Sequence, residues 1–213
     1  MATEGVEGPS PRPGPGRGRP MVVSGSVLTR AVNEDALLAA RLKAGDPQAW
    51  ERCYRLWYPR LFTYAFRRLG DREAAADIAS DTFVRALKEV GRYDPHRLSL
   101  AGWLFRMAHA RTVDHLRRQA RRRAVSLEAG THDPAEDTSE RDAERGDLLR
   151  SLSRLTRDQQ AVLLLRFYVG LSAEETGRVL GKPSGAVRAL QFRALRQLRR
   201  LLGAEEEGSS EEE

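Results

Sequence analysis

Apolar residues recur at helical spacing through two long stretches of the chain, and no convincing strand pattern interrupts them. The first stretch begins near Asn33, where Leu37, Leu38 and Leu42 fit one helical face. Asp46-Pro47 then reads as an N-cap followed by proline at the first helical position, opening a helix to about Leu69. Gly70 ends it, and Asp71 caps the next helix, which runs to about Val90. After the loop "GRYDPHRLS", another helix starts near Ser99 and reaches about Arg122, with Leu100, Trp103, Leu104 and Met107 on one face.

The periodicity lapses over 124–145, an acidic stretch with Gly and Pro that reads as a flexible linker. It resumes near Gly146. Thr156-x-x-Gln159 is a capping box in front of "AVLLLRFYVG", and Ser172-x-x-Glu175 is a second, in front of Thr176, Val179 and Leu180. Ser184 is placed to cap a last helix that ends at Gly203. The pattern predicts an all-α protein of two small helical domains, 33–123 and 146–203, joined by that linker. Residues 1–32 form an extension and 204–213 an acidic tail. With five prolines and five glycines in its first 20 residues, the extension reads as disordered, because it buries too little to offset its ordering entropy.

The segment "GRVLGKPSGAVRALQFRALRQLRR" invites two readings. A phosphate-cradling loop needs G-x-x-x-x-G-K-[ST] between a strand and a helix. Here the glycine spacing is one residue short, Pro183 removes a backbone donor, and a helix precedes. A helical wheel over 185–202 is more informative. Val187, Leu190, Ala194, Leu195, Leu198, Leu201 and Leu202 fall on one side. Arg188, Arg193, Arg196, Arg199 and Arg200 fall on the other, with Phe192 among them. A short helix, a tight Gly181-Lys182-Pro183 connection and a helix with one cationic face make a helix-turn-helix. Its second helix would enter a major groove N-terminus first.

Charge sharpens this reading. The formal net charge is +6, but 128–147 and 203–213 each carry −6, so the rest of the chain carries +18. A basic body with acidic connectors suits a polyanion partner. A second cluster, "RRQARRR" at Arg117–Arg123, closes the 99–122 helix, with Trp103 and Phe105 upstream on that helix. Aromatics beside arginines suit single-stranded nucleic acid, although Trp103 also lies within the apolar face and reads as core. Trp50, Tyr54, Trp57 and Tyr58, at helical spacing, also read as core. Asp77 and Asp81 stand one turn apart and form an acidic patch facing solvent or a partner.

Nothing points to catalysis. His96, His109, His115 and His132 have no metal-ligand spacing, the lone Cys53 makes neither a zinc site nor a disulfide, and no acid–base cluster is evident. No metal, cofactor or catalytic residue is expected. No apolar run nears the ~20 residues of a membrane helix, and the start lacks a signal peptide's apolar core, so a cytoplasmic protein without membrane insertion is expected.

Two passages carry a family resemblance. "YAFRRLGDREAAADIASDTFVRALKEVGRYDP" with "LAGWLFRMAHARTVDHLRR" resembles the second region of bacterial RNA polymerase sigma factors. "LTRDQQAVLLLRFYVGLSAEETGRVLGKPSGAVRALQFRALRQLRR" resembles their fourth region. The short linker, with no room for a third domain, is similar to the extracytoplasmic-function (ECF) group. The resemblance covers about 34–202.

It implies a sigma factor that binds core RNA polymerase, directs it to promoters through −10 and −35 elements and assists their melting. The implied partners are the largest subunit's clamp helices and the flap region of that polymerase, promoter DNA and an anti-sigma factor. It implies polymerase contacts from Asp77, Asp81, Thr82, Phe83 and Arg85. The −10 contacts would come from Arg92, Tyr93, His96, Arg97, Trp103, Arg106, Arg111, Arg117 and Arg118. The −35 contacts would come from Ser172, Lys182, Ser184, Gly185, Arg188, Gln191, Phe192, Arg193 and Arg196. The chain departs from the family pattern at Ser80, often Gln, at Ala110, often Asn, and at Ala189-Leu190, often Ser-Arg. The rival readings are a stand-alone helix-turn-helix regulator, which leaves the acidic patch of 33–123 unexplained, and a DNA-processing enzyme, which lacks its reactive groups.

Overall fold

The computed structural model describes residues 36–128 and 151–209, and these are helical with no strand among them. The expected extension, most of the linker and the end of the tail lie outside the described residues. Helix α1 covers 36–43, followed by α2 (Pro47–Leu69) and α3 (Arg72–Glu89). A 3-10 turn at Val90–Arg92 and a loop lead to α4 (Leu100–Glu128). The second described stretch opens with helical residues 151–153, followed by α5 (Arg157–Leu163), a π-helical segment (Leu164–Val169), α6 (Ala173–Leu180) and α7 (Ser184–Ser209).

Local chemistry sets these boundaries. The Asp46 carboxylate accepts the Gln48 and Ala49 amides, and Pro47 opens α2. The Arg41 guanidinium, 2.7 Å away, helps hold that carboxylate below the usual range. Gly70, left-handed at φ 70°, closes α2, and Asp71 caps α3 through the Ala74 amide. Ser99 caps α4 by accepting the Gly102 amide at 3.2 Å. Both expected capping boxes form, at Thr156/Gln159 and Ser172/Glu175.

Several expectations change. Helix α4 continues to Glu128, and α7 runs through Gly203, its expected end, to Ser209, because arginine and glutamate runs are good helix formers and one glycine weakens a helix without having to end it. Pro183 accepts the Val187 amide, so Ser184 is the first helical residue and not the cap. Leu37 is exposed while Leu38 and Leu42 pack inward, since Leu37 lies five residues from Leu42 and off its face. Leu195, expected inside, is 40% exposed at the edge of the apolar stripe. Tyr54 stays half-exposed, stacked on Tyr58 and tilted against Phe83, each at 4.8 Å, whereas Trp50, Trp57, Tyr58 and Trp103 do pack on the core.

The main core joins α2, α3 and α4. Leu61, Tyr64, Ala75, Ala79, Leu104 and Phe105 are fully buried, and the alanines let α3 lie close to its neighbours. Leu165, Val169, Leu171 and Val179 enter this same cluster, so α6 packs onto α4 and the π-helical segment adds to the shared core. Under the seam, Arg68 donates to the Tyr64 hydroxyl (3.2 Å), which faces His109 Nδ1 at 2.8 Å. With Arg68 donating, the Tyr64 proton points to His109, whose Nδ1 accepts as neutral imidazole. Burial first, then the Arg68 charge, pushes His109 down to about 4.

The helix-turn-helix turns on two glycines. Gly177 O accepts the amides of Gly181 and Lys182, and Gly181 is left-handed at φ 65°. A Cβ on Gly177 would lie 2.5 Å from the Lys182 carbonyl oxygen.

Gly177→Ala should therefore destabilise the chain by about 1–3 kcal/mol, read as a shift in the denaturation midpoint, because backbone rather than a mobile side chain must move. A second expectation concerns acid. The unfolded chain protonates His109 near 6.5 and the folded chain only near 4. Its contribution is thus complete above about pH 6.5 and lost as pH falls toward 4, up to about 3 kcal/mol. Denaturation midpoints at pH 7 and pH 4.5 should lie further apart for wild type than for His109→Gln, which keeps an acceptor without the titration.

Candidate nucleic-acid interface

Helices α3 and α4 border two clefts, and an ion pair between Arg111 and Asp81 (2.7 Å) links the helices beside the first. That cleft, about 340 Å³, is lined by Asp71, Glu73, Asp77 and Asp81 from α3 and its cap, and by Arg111, Asp114, His115 and Arg118 from α4. The second, about 590 Å³, is lined by Arg85, Glu89, Arg92, Tyr93, Arg97, Trp103, Arg106, Met107 and Ala110.

This partition regroups the residues singled out above. Arg85 lines the second cleft, paired with Glu89 at 2.8 Å, and so lies with the candidate −10 residues. Arg111 and Arg118 line the acidic cleft with Asp77 and Asp81. Thr82 and Phe83 are buried. Thr82 Oγ1 donates to the Ile78 carbonyl, and Phe83 packs beneath Tyr54, so both shape α3 and offer almost no surface. Arg117 is exposed, 4.0 Å from Asp114.

The second cleft has the chemistry of a single-strand site. Tyr93 and Trp103 stack at 4.7 Å and form an aromatic wall, with Tyr93 buried behind Trp103's half-exposed ring. Arg85, Arg92, Arg97 and Arg106 surround it with exposed guanidinium groups. His96 is exposed on the adjoining loop, which Asp94 shapes by accepting the His96 amide at 3.0 Å. Exposed bases stack on rings while cations hold the phosphates. Ala110 lies in this wall, so the side chain at that position offers no hydrogen bond.

The helix-turn-helix presents α7. Gly185, Phe192, Arg193 and Arg196 are exposed on one face, with Phe192 at 68%. Arg193 Nε lies 3.4 Å from the Ala189 carbonyl, lying back along its own helix. Arg188 is paired with Glu174 of α6. The carboxyl of Glu174 is held below its usual range by its own backbone amide and by Arg188. Other members of the expected −35 set are engaged internally. Ser172 Oγ accepts the Glu175 amide, Lys182 Nζ meets Asp158 at 2.9 Å, and Gln191 Oε1 accepts from Arg166 Nε at 3.0 Å. Ser184 is half-buried at the helix start.

Arg166 was not singled out in the sequence. It lies in the π-helical segment, and its second contact, to the Leu171 carbonyl, ties that segment to the turn before α6. Its flanking apolar run disguised it as a solvated charge. The wider register also leaves Phe167 and Tyr168 exposed beside buried Leu165 and Val169.

An aromatic and arginine cleft on the same helical chain as a helix-turn-helix defines a nucleic-acid-binding class. Comparison with known proteins refines it. The family model of Sigma-70 region 2 matches residues 53–122, and that of Sigma-70, region 4 matches 151–200. The chain is 35% identical over 170 residues to the ECF RNA polymerase sigma factor BldN of Streptomyces coelicolor, covering 78% of this chain and 64% of that protein. It is 31% identical over 156 residues to RNA polymerase sigma factor YlaC of Bacillus subtilis, covering 70% and 90%. It is 34% identical over 182 residues to the ECF RNA polymerase sigma factor ShbA of Streptomyces griseus, covering 77% and 93%. Among solved structures, CnrH in complex with the cytosolic domain of CnrY is similar at a TM-score of 0.60 and 28% identity, covering 80% of this chain and 97% of that one. The chain belongs to the RNA polymerase sigma factors, in the ECF group. It spans just under two thirds of the BldN length.

Glu174 neutralises one arginine of the exposed α7 face. Glu174→Gln should tighten binding of the full chain to a random-sequence duplex at low salt by roughly two- to fivefold, measured by fluorescence anisotropy. In wild type, Arg188→Ala should weaken that binding less than Arg193→Ala.

Proposed function

We propose that this chain binds core RNA polymerase, directs it to promoters and assists their opening, without catalysis of its own. It works in the cytoplasm, where the polymerase works. One observation carries the reading: a single chain bears both a cleft suited to an opened strand and a recognition helix suited to duplex DNA. Exposed bases of the −10 element stack against the Trp103 face while Arg92, Arg97 and Arg106 hold the phosphates, and a base out of the stack favours the opened form. Arg85 joins this group. Helix α7 enters the −35 major groove, with Phe192, Arg193, Arg196 and, once freed from Glu174, Arg188 toward the DNA.

The acidic face of α3, Asp77 with Asp81, docks on the polymerase clamp helices, and the region around α5–α7 meets the flap. An anti-sigma protein is the proposed regulator, as membership of the ECF group suggests. The residues engaged internally, Ser172, Lys182 and Gln191, hold the recognition helix in place.

Run-off transcription with purified core polymerase and a genomic promoter pool tests this. Promoter-specific transcripts should need this chain. Asp77→Ala with Asp81→Ala should weaken core association roughly tenfold and leave duplex binding unchanged. Arg193→Ala should do the reverse, costing about 1–3 kcal/mol in duplex affinity. Absence of both core association and specific transcripts would overturn the reading.

A further inference from the structure

Stacking on the Trp103 ring holds a base without regard to its identity, because every base has a π-face. Discrimination has to come from the other groups that line the second cleft. Base edges have matching side chains: Arg or Lys for guanine, Asn or Gln for adenine, Asp or Glu for the cytosine amino group, and an apolar group for the thymine methyl. Among the described lining residues there is no Asn, Gln, Ser or Thr, so nothing there matches the paired donor and acceptor of adenine. The two carboxylates already serve the chain itself. Glu89 pairs with Arg85 at 2.8 Å, and Asp94 accepts the His96 amide at 3.0 Å, so a cytosine amino group has to share them.

The arginines suit phosphates better than guanine. Arg92, Arg97 and Arg106 are exposed, and among the described residues no side chain holds their guanidinium groups. A bidentate contact to a guanine edge needs a guanidinium fixed in place, whereas a phosphate accepts a cation from many directions. What remains is apolar. Trp103, Met107 and Ala110 are spaced by four and three residues on α4 and so share one face. Met107 and Leu98 are nearly buried, at 6% and 8% exposure, whereas Ala110 is exposed. The Ala110 methyl is therefore the apolar group that this face offers to a base beyond the Trp103 ring.

We propose that Ala110, backed by Met107, is a specificity-determining residue that selects thymine in the opened −10 strand through the thymine 5-methyl group. The inference rests on the sigma reading above and adds to it the base that the cleft prefers.

The test uses holoenzyme assembled from core polymerase and the full chain. The DNA is a promoter duplex gapped over the −10 segment, where the template strand is left out, so that ease of melting contributes nothing. Selection from a pool randomised over this gap should enrich thymine at one position or more. Replacing each enriched thymine in turn by deoxyuridine removes only the methyl group. At the position the cleft reads, affinity should fall about three- to fivefold, the worth of one methyl group withdrawn from water. In Ala110→Asn the same replacement should cost nothing measurable, and adenine should gain on thymine at that position, because an amide matches the adenine edge. Ala110 is exposed, so this variant leaves the core packing as it is. Enrichment of guanine or cytosine in place of thymine overturns the inference. So does wild-type affinity indifferent to deoxyuridine at every thymine, or a methyl dependence that persists in Ala110→Asn. Each of these results leaves the sigma reading standing, since selection itself has succeeded. No enrichment beyond that given by core polymerase alone sinks both.

Discussion

Burial of one face of α4 organises the molecule. Leu100, Leu104, Phe105 and Ala108 are almost wholly withdrawn from water, and they sit in the cluster that unites α2, α3, the π-helical segment and α6. Fully burying a large apolar side chain is worth roughly 1.5–3 kcal/mol, far more than an exposed ion pair on this surface. The apolar contacts hold α3 beside α4, and that spacing creates the clefts in which the charged groups meet. Polar geometry here follows from apolar packing.

Electrostatics then sort the surface. Several arginines are matched by carboxylates of the same chain: Arg111 by Asp81, Arg85 by Glu89, Arg188 by Glu174. These pairs are partly exposed and add little stability. Their effect is positional, since a paired guanidinium is held to a defined region of surface. The acidic cleft keeps most of its carboxylates toward solvent, whereas the second cleft is rimmed by arginines around an aromatic wall.

Elements defined by local chemistry were legible in the sequence. Asp46-Pro47 and Gly70 bound α2 where expected, and both capping boxes form, because a cap involves residues three apart. Features that depend on distant partners were not. The i→i+5 register of Leu164–Val169 has no signature in an apolar run, and it decides which of Phe167 and Val169 is buried. The helical wheel placed Arg193 and Phe192 outward correctly, yet it could not show that Lys182, Gln191 and Arg188 already have partners on other helices. Nor could the sequence show that Arg85 lines the second cleft and Arg111 the acidic one, because helix spacing gives a face along one helix while a cleft is made by two.

The pairing of Arg188 with Glu174 has a consequence for how salt acts on this protein. An arginine that neutralises a phosphate normally releases a condensed cation from the DNA, and the affinity falls with salt in proportion to such releases. Here the guanidinium must first leave a carboxylate, which then gathers a cation of its own. The exchange returns much of the ion to the protein. The logarithmic salt dependence of α7 binding should therefore be shallower than its arginine count implies, and the chain carries an internal counterion that buffers its hold on DNA against changing ionic strength.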